Sequence, residues 1–174
     1  VDYIFAPSLT YNINENKGDN HYNCPVVAYY PEVIRCNVKM NEGTKLLSLF
    51  LDISNEKTFP KYFTRQMLSD GIELRESDVK KAADLAYKAL YDYKREVENE
   101  GKHIIEVSER ENIPLVVLVG RPYHVDSEIN HGIDTLLTSL GASIITEDSV
   151  SREEEKFKTM VLNQWTYHSR LYSA

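Results

Sequence analysis

The sequence predicts an α/β fold, a mainly parallel sheet with helices on both faces, and three observations lead there. Residues 114–120 (PLVVLVG) form a continuous run of β-branched residues and leucine, the pattern of a strand buried on both faces of a parallel sheet. A polar loop, a helix-like stretch and a second apolar run (142–146, ASIIT) follow it, which spells a right-handed βαβ unit. From Ser77 a long stretch repeats apolar residues at three- and four-residue steps, as an amphipathic helix does.

Taken in order, residues 2–6 (DYIFA) are strand-like and end at Pro7. Residues 10–23 (TYNINENKGDNHYN) have turn chemistry and little to bury, so they read as a loop. Residues 24–30 (CPVVAYY) read as a short apolar strand, and Pro31 as the opening of a helix, because proline is tolerated in the first turn. Residues 46–53 (LLSLFLDI) read as another apolar strand. A helix is expected over 58–70, stopped at Asp70-Gly71. In the long helix, Ser77 suits the N-cap, and Val79, Ala82, Ala86, Ala89, Leu90, Tyr93 and Val97 form the expected buried stripe. Gly101 is a candidate interruption before helix resumes through Glu109. After the strand at 114–120, a helix over 132–140 is closed by Gly141 at C′, and 142–146 is the last strand. Residues 159–174 read as a helix still in progress. The expected arrangement is three-layered, Rossmann-like or flavodoxin-like, in a single α/β domain over 1–174.

The chain has 174 residues, enough for one core without a disulfide scaffold. Its formal net charge of -7, with no Lys/Arg stripe to offset it, argues against nucleic acid as a partner. The acidic excess lies largely in 95–111 and 147–155 and reads as solvated surface. Two cysteines, Cys24 and Cys36, suit a reduced cytoplasmic protein better than a secreted one. The first residues, VDYIFAP, do not resemble a signal peptide, and no apolar run reaches the length of a membrane span. Without an initiator Met, both ends read as cut from a longer multidomain protein.

Ligands of open α/β sheets bind beyond the carboxyl ends of the strands, and two segments there carry unusual residues. The loop at 120–132 (GRPYHVDSEINHG) gathers Arg121, Tyr123, His124, Asn130, His131 and Gly132. Arg121 suits a phosphate or carboxylate, and backbone N–H groups near Asn130 and Gly132 open a helix and could hold an anion. Equally, Asp126, Ser127 or Asn130 caps that helix, and the histidines only satisfy hydrogen bonds. His124 and His131 lack a third ligand at metal spacing. The second segment is Asn23-Cys24-Pro25, where a thiolate could ligate a metal cluster or serve as a small buried residue. At 164–170, Trp165, His168 and Arg170 cannot all face one way on a helix. No GxSxG, GxxxxGK(S/T) or GxGxxG pattern occurs.

The strings Cys24-Pro25-Val26-Val27, Tyr30-Pro31-Glu32-Val33-Ile34, 120–132 and Gln164-Trp165-Thr166-Tyr167-His168-Ser169-Arg170 resemble those of the large CoA-substrate-specific enzyme activases. These are multidomain relatives of the activators of 2-hydroxyacyl-CoA dehydratases and benzoyl-CoA reductases. The resemblance spans nearly the whole chain and points to the dehydratase-like region of uncharacterised function downstream of the ATPase modules. It implies a four-iron, four-sulfur (4Fe–4S) cluster in the full-length protein, with Cys24 as the candidate ligand; Cys36 matches no family cysteine. ATP would act only through a module outside this chain. The implied parent is an ATP-dependent activator in anaerobic metabolism, and this fragment is expected to be inactive alone. The implied role is an iron–sulfur module that relays low-potential electrons to, or acts on, an acyl-CoA. The alternative is a non-catalytic CoA-binding or partner-docking domain. Expected partners are an acyl-CoA dehydratase or its electron donor and the parent's other domains, with no nucleic acid and no membrane.

Overall fold

The computed structural model describes residues 1–150 and 160–172. The chain gathers into two compact units, residues 1–15 with 20–89, and residues 16–19 with 90–174. Each is organised around parallel strand pairing.

The first unit opens with β1 (Tyr3–Phe5) and β2 (Ser8–Tyr11), followed by α1 (Pro25–Asn37), β3 (Lys45–Leu47), β4 (Phe50–Asp52) and α2 (Phe59–Ser69). β1 pairs parallel with β3, Tyr3 opposite Lys45, and β2 pairs parallel with β4, Ser8 opposite Phe50. The break falls at Pro7, which has no N–H to give. On either side of it the Ala6 N–H donates to the Leu47 carbonyl at 3.0 Å and the Ser8 N–H to Leu49 at 2.7 Å. The expected strand over 46–53 is thus two short strands, and 10–23 loses its first residues to β2.

Residues 24–30 are not a strand. Residues 25–30 form the first half of α1, with Cys24 at its N-cap, Pro25 in the first turn and Pro31 inside the helix. Parallel strands need a crossover, and α1 supplies the one between β2 and β4. Its burial follows a helical period: Ala28 and Pro31 are buried, while Val26, Val27, Tyr29 and Tyr30 are exposed. Apolar composition alone suggested a strand; one-sided burial shows why it is a helix. The Glu32 carboxylate on α1 accepts from Arg35 Nε at 2.8 Å and from Ser48 Oγ at 2.9 Å, tying the helix to the turn between β3 and β4.

Leu47, Leu49, Leu51 and Met67 form the core here, with Leu9, Phe59, Phe63, Ile72 and Leu74 packed around them. α2 lies where expected, and Gly71 turns the chain with a φ of 81° after it.

The long helix α3 (Glu76–Glu111) runs through the boundary between the units. It begins one residue before Ser77, whose expected role as N-cap passes to Arg75: that carbonyl accepts from Asp78 and Val79. Its buried face also differs from expectation. Ala83 and Tyr87 are buried, whereas Ala82, Ala86, Ala89 and Tyr93 are exposed. Alanines fit either face, so the choice falls to Tyr87. Its hydroxyl donates to the Ile53 carbonyl at 3.0 Å, and its ring meets Phe59 edge-on at 5.9 Å. Gly101 does not interrupt the helix. It is buried, and a Cβ there would stand 2.5 Å from Ser149 Cβ, so the missing side chain permits a close approach.

The second unit continues with β5 (Leu115–Leu118), a 3-10 turn (Pro122–Val125), α4 (Ile133–Ser139), β6 (Ser143–Thr146), α5 (Glu147–Val150) and α6 (Thr166–Leu171). β5 and β6 pair parallel from Leu115 opposite Ser143 to Leu118 opposite Thr146, and Gly141 closes α4 with a φ of 86°. This is the expected βαβ unit. β5, however, is not buried on both faces: Val117 is 36% exposed, because β6 is its strand neighbour in a two-stranded pair. Among the described residues the named strands all pair in parallel, in three two-stranded sheets and not one wide sheet. The α/β character stands in mixed helix and short parallel strands. Of the helix expected over 159–174, the described part is α6, and 160–165 is not helical; residues 159, 173 and 174 lie outside the described residues. No helix among the described residues is long and apolar enough to cross a membrane.

Arg35 foremost, with Ser48, holds the Glu32 carboxyl below its ordinary pKa. A lowered folded pKa contributes stability above the ordinary carboxylate value, and that contribution is lost as pH falls through the folded pKa. Glu32→Gln is therefore expected to lower stability to denaturant at neutral pH. The difference from the parent chain should shrink to nothing on acidification below the usual carboxylate range.

Candidate functional site

A cleft of about 340 Å³ opens in the second unit beyond the carboxyl ends of β5 and β6. Leu118 ends the first strand, Thr146 the second, and both line it. Parallel register puts these two ends side by side, so the chains leaving them both border the cleft.

Gly120, Arg121, Pro122, His124 and Val125 make one wall. The peptide N–H of Arg121 donates to His124 Nδ1 at 2.9 Å, and the His124 N–H donates to the Arg121 carbonyl at 2.8 Å. An accepting Nδ1 carries no proton, which puts the ring's N–H on Nε2. Gly120 makes room for this ring: a Cβ there would stand 2.6 Å from Nδ1. Tyr123 does not line the cleft; its ring packs edge-on against His124 at 4.5 Å.

The other wall is Thr146, Glu147 and Asp148, with Tyr93 and Val97 of α3 between. Thr146 Oγ1 donates to Asp148 Oδ1. Glu147 is only 4% exposed, and Arg170 Nε of α6 stands 3.2 Å from its Oε2. Arg170 Nη2 lies 3.9 Å from Asp148 Oδ2, and its guanidinium sits 5.5 Å from the Tyr167 ring centroid. The acidic run at 147–155 is thus not plain solvated surface in its described part, since Glu147 is a buried, paired carboxylate. Residues 151–155 lie outside the described residues.

Of the six loop residues singled out, the cleft brings together Arg121 and His124. Asn130 is buried at 8% exposure, and its Oδ1 accepts the Gly132 N–H at 2.8 Å. The Gly132 N–H also donates to Ser127, and the Ile133 N–H to Asn130, so these groups serve the turn. Asp126 Oδ1 accepts from Glu128 at 2.9 Å. His131 and Gly132 have φ of 58° and 72°, the left-handed bend that swings the chain into α4. These bonds close the turn before α4, and no side chain caps the helix itself, whose N-cap position is Gly132. His168 pairs through Nδ1 with Asn163 Oδ1 at 3.3 Å and packs on Tyr172.

Residue-type reasoning passed over Glu147, Asp148, Tyr93 and Arg170. A usable signal existed for two of them: Glu147 and Asp148 follow the second strand as Arg121 follows the first, and the rule about carboxyl ends covers both.

Cys24 lies in the first unit at the N-cap position of α1, half-buried, with its carbonyl accepting the Ala28 N–H at 2.9 Å. Cys36 is exposed near the other end of α1. At ~1.5 Å per residue, twelve residues of helix hold the two thiols ~18 Å apart, too far to share one cluster. Among the described residues, no three His, Cys, Asp or Glu side chains gather where they could hold a metal ion. The described residues alone therefore do not fit a resident 4Fe–4S cluster.

Gly120→Ala is expected to push the His124 ring off the Arg121 N–H, at a cost of ~1–3 kcal/mol. Nitrogen chemical shifts of the His124 ring check this: the preference for Nε2–H should be lost, and an unchanged tautomer would contradict the assignment.

The family model described as "CoA enzyme activase uncharacterised domain (DUF2229)" matches residues 1–150, which include all three described strand pairs and the cleft lining up to Asp148. No curated protein and no solved structure matches the chain. With most of its length matched, the chain belongs to the CoA enzyme activase uncharacterised domain family.

Proposed function

We propose that this domain binds a CoA ester on behalf of a CoA enzyme activase, in the cleft beyond β5 and β6, and carries out no chemistry of its own. One observation carries the reading: Arg121 and His124 meet the 146–148 segment around a single cleft, at the position where α/β strand pairs receive ligands. The volume lies at the small end of the range for small-molecule sites. Arg121 offers charge-assisted donors, and His124 an N–H whose position is fixed by its other nitrogen. The partner enzyme of the activase, an acyl-CoA dehydratase in this reading, would share the ester. Titration calorimetry of the folded chain with acetyl-CoA should give saturable heat. Arg121→Ala should weaken binding by ~1.5–3 kcal/mol, the worth of hydrogen bonds to a charged group. No heat with any CoA ester would overturn the proposal.

A second reading rests on Cys24, half-buried at the N-cap of α1. In it, Cys24 gives one thiolate to a 4Fe–4S cluster completed by residues outside this chain, within a module that relays low-potential electrons. Iron and sulfide analysis of the activase protein carrying this domain, purified without oxygen, tests it. Cys24→Ser should lower the iron content and remove the cluster's spin-resonance signal; unchanged iron would sink this reading.

A further inference from the structure

A second, smaller hollow of about 200 Å³ lies beside the cleft in the same unit. Val97 and Thr146 line both, so the two cavities meet at this pair. Helix α3 runs under both. Tyr93 and Val97 line the cleft, and Val97, Gly101 and Ile104 line the hollow, at steps of four, four and three residues along one face of the helix. Ile144 and Ile145 of β6 line the hollow from the strand.

The hollow asks for a different chemistry from the cleft. Val97, Ile104, Ile144 and Ile145 give it aliphatic surface. Its two hydroxyl protons are already used: Thr146 Oγ1 donates to Asp148 Oδ1, and Ser149 Oγ donates to the Thr146 carbonyl at 2.7 Å. Glu100, its one charged side chain, belongs to an exposed residue. A ligand group that enters therefore gains by burying methylenes and finds no hydroxyl proton free to bond it. The volume lies below the range for whole small-molecule sites, so the hollow suits one short group of a larger ligand. A Cβ on Gly101 would stand 2.5 Å from Ser149 Cβ, so α3 and Ser149 are in direct contact and close that side to a longer chain.

We infer that this hollow is the acyl pocket of the site, and that the ligand is the CoA ester of a short aliphatic acid. The CoA side of the ester lies in the cleft, the thioester passes between Val97 and Thr146, and the acyl chain enters the hollow against Ile104. This rests on the CoA-ester reading above and names the acyl group of that ligand.

Calorimetry of the folded chain with acetyl-CoA, butyryl-CoA and octanoyl-CoA tests this. Butyryl-CoA should bind roughly tenfold tighter than acetyl-CoA, the worth of two more buried methylenes, and octanoyl-CoA no tighter than butyryl-CoA. Ile104→Phe, which fills the hollow, should abolish the preference for butyryl over acetyl. Ile104→Ala, which enlarges it, should raise octanoyl-CoA above butyryl-CoA. If acetyl-CoA binds as tightly as butyryl-CoA, or if neither variant changes the order of the three esters, the inference is overturned and the CoA-ester reading stands. If no ester binds, both fall together.

Discussion

The carboxyl ends of β5 and β6 lie side by side because the two strands run parallel and in register, from Leu115 opposite Ser143 to Leu118 opposite Thr146. An antiparallel pair would have put one exit at each end. Parallel pairing sends Arg121 and Glu147 out of the same edge, three residues after Leu118 and one after Thr146. The cleft, its two walls and its charge pattern all follow from that register.

The walls are held by different means. On the Arg121 side the chain makes a short 3-10 turn, with the His124 ring folded back over Gly120 and locked by the Arg121 N–H. Local geometry is enough there. On the Glu147 side the restraint comes from far along the chain, as Arg170 of α6 pairs with a carboxylate that is almost wholly buried. A buried carboxylate is costly unless paired, so Glu147 and Arg170 each require the other. Gly101 adds to this by letting α3 approach Ser149 at close range.

The first unit solves the same problem with less sequence regularity. Its parallel pairs are three and four residues long and broken at Pro7. The crossover between β2 and β4 is a helix that carries proline in its first turn and again inside. Glu32, reaching from this helix to Ser48, ties α1 to the turn joining β3 to β4. Cys24 and Cys36 stand at opposite ends of α1, which is the physical reason they do not combine as ligands.

From the residues alone, the elements with strong local signals were legible: α2 with its glycine stop, the length of α3, the βαβ succession at 114–146 and Gly141 as a C′ residue. These depend on contacts within a few positions, so pattern determines them. That Arg121 and His124 would stand beyond a strand end was legible for the same reason, since they follow directly on a marked strand, and both line the cleft. Tertiary structure decided the rest. Segment 24–30 is apolar enough for a strand and becomes a helix because two parallel strands need a crossover. The buried face of α3 depends on where Tyr87 finds Ile53 and Phe59. The pairing of Glu147 with Arg170 joins residues 23 positions apart in the sequence, and no local pattern encodes it. Periodicity reports what a segment buries against its own neighbours in sequence, whereas a site is made by side chains that meet only once the chain has folded.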